Sequence, residues 1–589
     1  MTRFARNLAL TTGDNRPVQP VPHQLQALVR EALRAAQAAQ TLPDFPLPDD
    51  IPITLPKREG QGDYASPVAM ALAKAARQKP LDIANAVLAH MPESPLLARA
   101  EVAPPGFLNL WLDEAWLRHQ VEAVISQGAG YFQQTDIGAG QRAQVEFVSA
   151  NPTGPLHIGR TRGAILGDAL SNLLEACGWE VQREYYFNNA GRQMQLLGES
   201  LRARYLQALG QDAPLPEEDA YKGDYLITMG QALHDAVGDA WAQKDWPAFK
   251  EHAEAEIFKM IKATLARVRI RHDDFFNEQS VYDDNSVWET LEKLRAAGMV
   301  YESVTREDAD PEEVAQMQKT GKTEPATWFR TTKLGDDQDR VLVKSNGDPT
   351  YVLPDIAYHV NKLERGFEKA YNVLGVDHIV EAQTVAYGLQ ALGYDPARVE
   401  VLFHQFVTFP DGRMSTRAGN YVTLDDLIDV VGADAVRYFM LARSPNSHLE
   451  FDFELATNNS RENPVFYIQN AHVRCCGIFR QAAERGLPED WDAGADLSLL
   501  GEAEMAFVRG MIALPEQIAF AYETTAPHQI AFYALDLART FHPLYDDVRV
   551  LHSDVPEDLA RARLRFYRAA RITFHYLLTL LGMDAPETM

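Results

Sequence analysis

The sequence predicts a multidomain α/β protein: a doubly wound parallel sheet with an inserted helical region, a small N-terminal α/β domain and a C-terminal all-α bundle. Three observations carry that prediction. Residues 144–187 run strand, loop, helix, strand, the start of a parallel βαβ unit. Further strand-like segments at 371–376 and 401–409, divided by a helical segment at 379–393, continue the winding. From Arg461 onward every apolar pattern has helical period. A chain of 589 residues has room for this, at about 150 residues per domain.

In chain order, residues 1–115 form the first unit. They hold a helical run at 21–40, a Pro-rich link at 41–56, helices at 66–78 and 81–91, and strands at 98–103 and 107–112 around Pro104-Pro105-Gly106. Residues 116–425 form the main sheet domain. Its first strand, Gln144–Ser149, alternates β-branched and aromatic residues. A Pro/Gly loop spans 150–156, and the helix 158–176 sets Ile165, Leu166, Ala169, Leu170, Leu173 and Leu174 on one stripe. Cys177-Gly178 ends that helix, and 179–187 is the next strand. Residues 195 to about 345 read as mostly helical and are taken as the insertion, 426–460 as linker helices, and 461–589 as a bundle of helices at 461–485, 502–521, 527–541 and 556–581.

Composition excludes several classes. With 46% hydrophobic and 23% charged residues the chain is globular, and no uncharged apolar run is long enough to span a bilayer. Residues 1–10 lack the apolar core of a secretory signal, and Cys177, Cys475 and Cys476 offer no CxxC, so a reducing, cytoplasmic setting is expected without a disulfide framework or a protein metal site. A net charge of −26 argues against indiscriminate polyanion binding, leaving only local, shaped contacts to nucleic acid.

Two loops carry the chemistry. Ala150-Asn-Pro-Thr-Gly-Pro-Leu-His-Ile-Gly-Arg160 joins a strand to a helix N-terminus, where backbone N–H groups and the helix dipole favour phosphate. Pro155, Leu156, His157, Gly159 and Arg160 are its candidate phosphate contacts, and the ATP contacts under the resemblance described below. The second loop, 411–420, brackets Arg413, Met414, Ser415 and Arg417 with glycines after a late strand, a composition suited to closing over a triphosphate. Tyr351 and Asp355, four apart at a helix start, share one face, and Glu146 lies on the strand that feeds the first loop. A carboxylate beside an aromatic ring is the chemistry a guanidinium seeks.

The first loop resembles the HIGH motif of class I aminoacyl-tRNA synthetases, and the second resembles their KMSKS motif. The runs 145–159, 350–359 and 414–420, with the ending 580–589, resemble the arginyl-tRNA synthetase family across essentially the full length. That resemblance implies a Rossmann-like catalytic domain, ATP with Mg²⁺, arginine and its tRNA as substrates, and attachment of arginine through an arginyl-adenylate. It assigns catalysis to His157 and Ser415, beside which the loops' own arginines Arg160, Arg413 and Arg417 are the candidates for holding phosphate, and it assigns the arginine pocket to Glu146, Ser149, Asn151, Tyr351, Asp355 and Gln383. Asp377 and His378 resemble the ribose site. The C-terminal bundle resembles the anticodon-binding domain, with Arg561, Arg565 and Arg568 as tRNA contacts and Phe566 and Tyr567 available for base stacking. Tyr64 falls in the segment resembling the tRNA-elbow contact. A monomer is expected.

Departures keep alternatives open. Arg160 stands where the first motif has its second histidine, and Arg413 and Thr416 occupy the usual lysine positions of the second. No lysine follows Lys369, so arginines must meet the phosphates. A non-catalytic tRNA-binding paralogue therefore competes, as does another class I synthetase. A cysteine enzyme lacks its thiolate zinc site here, and the branched-aliphatic enzymes need more chain for editing. Residues 461–589 hold 12 Arg, no Lys and 18 acidic residues, so a solvated helix with an aromatic core stripe competes with tRNA binding there.

Overall fold

A computed structural model of the chain describes residues 19–56, 58, 60–217, 219–310, 312, 314, 323–408, 423–458 and 460–589. The first helix, Val21–Ala38, buries Val21, Leu25, Val29, Leu33 and Ala36, a stripe spaced three or four residues apart. Helices Val68–Ala76 and Pro80–Ala89 pack beside an antiparallel sheet in which β1 (Tyr64–Ser66) and β2 (Leu97–Ala103) flank β3 (Phe107–Leu112). Only the latter two strands are legible in the sequence, because β1 is three residues long, too short to show a period.

The central sheet begins with β4 (Arg142–Glu146), β5 (Glu180–Phe187) and β6 (Asp274–Asn277). After a separate antiparallel sheet of β7 (Val300–Ser303), β8 (Ala326–Phe329) and β9 (Arg340–Val343) come β10 (Lys369–Gly375) and β11 (Val399–His404). The five-stranded order is β11-β10-β4-β5-β6 and every pairing is parallel. Chain progress runs outward in both directions from the β4–β10 pair, so the crevice at their carboxyl ends is a topological switch point.

Four sequence expectations are corrected. The stretch 195–345 is not one helical block: helices Gly191–Ala208, Asp224–Val237 and Trp246–Arg267 lead into β6, a full member of the main sheet, and β7–β9 follow. The strand expected to reach Ser149 stops at Glu146, because Val148 and Ser149 take left-handed backbone angles, φ 72° and 42°. The strand expected at 401–409 breaks after His404, and β12 (Val407–Thr408) pairs with β13 (Leu449–Glu450) instead. The expected helix 502–521 is two, Glu502–Ile512 and Leu514–Glu523, since Pro515 cannot continue the first and starts the second.

The helix Thr161–Ala176, preceded by a tight turn at Ile158–Arg160, is buried on nearly every side. Gly167 permits this, since a Cβ there would lie 2.2 Å from the Phe147 ring. Beneath it Asp168 accepts from Arg437 Nη2 at 2.6 Å, both side chains wholly buried. Arg437 also donates to the carbonyls of Val268 (2.7 Å) and Leu581 (2.8 Å). The helix Ala433–Leu441, the main sheet domain and the end of the C-terminal helix Glu557–Leu580 thus meet at one guanidinium.

Candidate active site

A cavity of about 660 Å³ opens at the carboxyl ends of β4 and β10. One end is built by the first loop. His157 caps the tight turn, its Nδ1 accepting from Gly159 N–H at 3.0 Å, so the neutral ring carries its proton on Nε2. Burial, with Arg160 beside it, lowers the His157 pKa and favours that neutral form. Gly159, Arg160 and Gly163 line the same end. Pro155 and Leu156 are not among the cavity-lining residues; Leu156 is buried in the core, which replaces the contact expected of it by a packing role.

Arg413, Met414, Ser415 and Arg417 lie outside the described residues. The described chain on either side of 409–422 adjoins the first loop. Thr423 pairs with His157, and Leu424 N–H donates to Leu156 O at 2.9 Å. The wholly buried Arg162 donates to the carbonyls of Gln405, Ser444 and Ser447 at 2.8–2.9 Å. Asp377 and His378 follow β10 and line the cavity, His378 Nε2 lying 3.6 Å from Asp377 Oδ2.

The other end is acidic. Tyr351 is 80% exposed at the rim, and Asp355, one turn on, faces the same cavity. Among the described residues no side chain hydrogen-bonds the Asp355 carboxylate. Burial above all, then Glu146, Glu278 and Glu381, pushes its pKa up to about 8, against the opposing pull of Lys362. Glu278, which follows β6, accepts from Tyr186 O–H and Asn188 Nδ2 at 2.8 Å each, and burial raises its pKa. Glu146 takes Lys362 Nζ at 2.6 Å on one oxygen and Ser149 Oγ–H at 2.9 Å on the other. The left-handed turn at Val148 and Ser149 is what brings that hydroxyl back over Glu146. A β-branched residue rarely adopts such a backbone, and strain of this kind concentrates at functional sites. Asn151 lines the cavity and accepts from Asn188 N–H at 3.0 Å.

Gln383 is a correction. On the helix Ile379–Ala391 the cavity-facing stripe is Glu381, Ala382, Val385, Ala386 and Leu389, and Gln383 projects off it into solvent. The C-terminal aromatics are another: Phe566 and Tyr567 are core residues, 1% and 0% exposed, and cannot stack on bases. The arginines beside them have internal partners. Arg561 donates to the carbonyls of Trp491 and Ala493, Arg565 pairs with Glu122 at 2.5 Å, and Arg568 pairs with Asp492 at 2.6 Å. Tyr64 is buried, and its hydroxyl donates to Glu516 at 3.3 Å. Sequence reasoning missed Glu278, hidden after a four-residue strand inside helical sequence. It also missed Lys362, although that lysine stands two turns after Asp355 on the same helix face.

A parallel sheet with a phosphate-favouring loop at its switch point is common to many nucleotide-binding folds, and the family match over residues 120–441 makes this one a class I aminoacyl-tRNA synthetase. The methionyl-tRNA synthetase of Mycobacterium tuberculosis, solved with methionyl-adenylate, shares that fold at a TM-score of 0.52 and 15% identity, over 75% of this chain and 91% of that one. Residues 120–441 match the family described as tRNA synthetases class I (R), catalytic domain. Residues 23–112 match the arginyl tRNA synthetase N terminal domain, and 468–589 the DALR anticodon binding domain. The arginine–tRNA ligase of Moorella thermoacetica is 42% identical over 97% of this chain and all of that protein. That of Desulfotalea psychrophila is 42% identical over 91% and 94%. The arginyl-tRNA synthetase of Thermus thermophilus superposes at a TM-score of 0.72 with 22% identity, covering 97% of this chain and 100% of that one. The chain belongs to the arginyl-tRNA synthetase family.

Proposed function

We propose that this protein activates arginine with ATP and transfers it to its cognate tRNA. The observation that carries the reading is the polarity of one cavity: a helix N-terminus with His157 and Arg160 at one end, and the Asp355 carboxyl with no hydrogen-bonded side-chain partner among the described residues at the other. A guanidinium held by Asp355 under the Tyr351 ring directs the amino-acid carboxylate toward the phosphate end. That carboxylate attacks the ATP α-phosphate in line and pyrophosphate leaves. The terminal ribose of the tRNA then attacks the arginyl-adenylate and releases AMP. Catalysis is positioning and electrostatics, with no protein nucleophile.

In this reading His157 and Arg160 hold phosphates from one side, and Arg413, Ser415 and Arg417, with Met414, act from the other. Mg²⁺ enters as part of the Mg·ATP substrate. Glu146, Ser149 and Asn151 serve the α-amino end. The working division of the chain is 1–115, 116–425, 426–460 and 461–589. Contact with tRNA is assigned to the first and last of these, through surfaces other than the internally paired Arg561, Arg565 and Arg568. A cytoplasmic monomer completes the proposal, and the three buried free thiols suit a reducing compartment.

Pyrophosphate exchange across the twenty amino acids, run with and without tRNA, tests it. Exchange with arginine alone among them is the expected result. Exchange with none under either condition would favour a non-catalytic paralogue.

A further inference from the structure

Lys362 sits on the helix Val352–Glu364 with no exposed surface. Its Nζ donates to Glu146 Oε2 at 2.6 Å and to Asn372 Oδ1 at 2.7 Å, and lies 4.3 Å from the centre of the Tyr358 ring. An ammonium has three N–H donors, and the protein itself occupies the faces of this one. It is sealed from the substrate. Glu146 is not sealed: it lines the cavity, one oxygen on Lys362 and the other on Ser149. Asn372 carries the arrangement further, its Nδ2 donating to His359 Nε2 at 2.6 Å while His359 Nδ1–H donates to Asp355 O at 2.7 Å. Burial lowers the His359 pKa to about 3, so the ring is neutral and this single tautomer satisfies both contacts.

Two carboxylates in one enclosed site do not both ionise without a counter-charge. We propose that Lys362 is a positioning residue of the arginine pocket, a sealed counter-ion that holds the Glu146 carboxylate turned to the cavity, leaving Asp355 to read the incoming guanidinium. The inference rests on the functional reading above. The charged and titratable groups around the ammonium are Glu146 on β4, Glu184 on β5 through the Tyr358 hydroxyl, with Arg365 bound to that carboxylate, and Glu278 and Tyr186 across the cavity. Asp355 and His359 share its helix, and Glu381 faces from the helix Ile379–Ala391.

The test is Lys362→Met, with arginine and ATP kinetics followed by tRNA-supported pyrophosphate exchange from about pH 6.5 to about 9.5. Near neutrality the arginine KM rises about tenfold or more while the ATP KM stays within about twofold. The loss recovers as pH rises, because two carboxylates must now give up protons, and the logarithm of kcat/KM for arginine climbs with a slope nearer two than one. A loss equal at every pH, or shared by ATP, means Lys362 only supports the fold and overturns the proposal, as does an unchanged arginine KM. Should Lys362→Met fail to fold, Asn372→Ala decides. It keeps the charge but removes one acceptor, and an arginine KM about threefold higher with ATP unaffected supports the proposal; no change, or an equal change in both, overturns it. A wild-type protein silent with arginine overturns the functional reading and this inference together, whereas an active wild type with unaltered variants overturns the inference alone.

Discussion

Asp355 has an unusual ionisation, and its consequence can be measured. Burial beside Glu146 and Glu278 pushes its pKa up to about 8, and only the carboxylate binds a guanidinium. Arginine binding therefore expels a proton, and kcat/KM for arginine is expected to rise about tenfold per pH unit toward pH 8 and then level. Asp355→Asn should remove that limb and raise the arginine KM by two orders of magnitude or so, with the ATP KM nearly kept. The same shift affects folding. A carboxyl whose folded pKa lies above its unfolded value binds more protons when folded, so the free enzyme loses stability as pH climbs from about 4 toward about 8. A thermal-melt series over that window, with and without arginine, checks the sign: the stabilisation by arginine should grow with pH. At this scale the sequence was informative where spacing speaks, as for Tyr351 with Asp355. It was silent where partners come from distant strands, as for Lys362 with Glu146, 216 residues apart.

Among the elements, the helix Thr161–Ala176 bears the most constraint. Its apolar stripe was legible, but its polar underside was not, since a buried Asp168 reads in sequence like any exposed one. Removing the Arg437 guanidinium strands that carboxylate in the core, so Arg437→Leu should cost about 3–5 kcal/mol, read by chemical denaturation, before any effect on substrate binding is considered. The short strands β1 and β6 escaped notice for a different reason. Runs of three or four residues carry no usable alternation, and β6 is recognisable only by its parallel pairing with β5. The break of the expected helix 502–521 was readable in principle, because Pro515 stands in its middle.

Across the whole molecule the N- and C-terminal domains touch. Arg509 pairs with Asp63 at 2.8 Å and Tyr64 meets Glu516, while Arg565 reaches Glu122 at the start of the main sheet domain. The arginine-rich helix Glu557–Leu580 is therefore an internal fastening rather than a basic face. Arg568→Ala should lower the melting temperature by several degrees while leaving the KM for tRNA within about twofold; a large tRNA effect with an unchanged melt would restore that arginine to the tRNA surface. The domain order was legible from the change of periodicity along the chain, whereas these contacts are not encoded in any local pattern. The junction at Arg437 has a further consequence for biosynthesis. Its carbonyl partner at Leu581 and the glycine at 582, where any Cβ would strike the guanidinium at 2.1 Å, emerge from the ribosome long after the sheet they complete. The polar core around Arg437 is thus completed only when residues 581 and 582 are free to fold, after the rest of the catalytic domain.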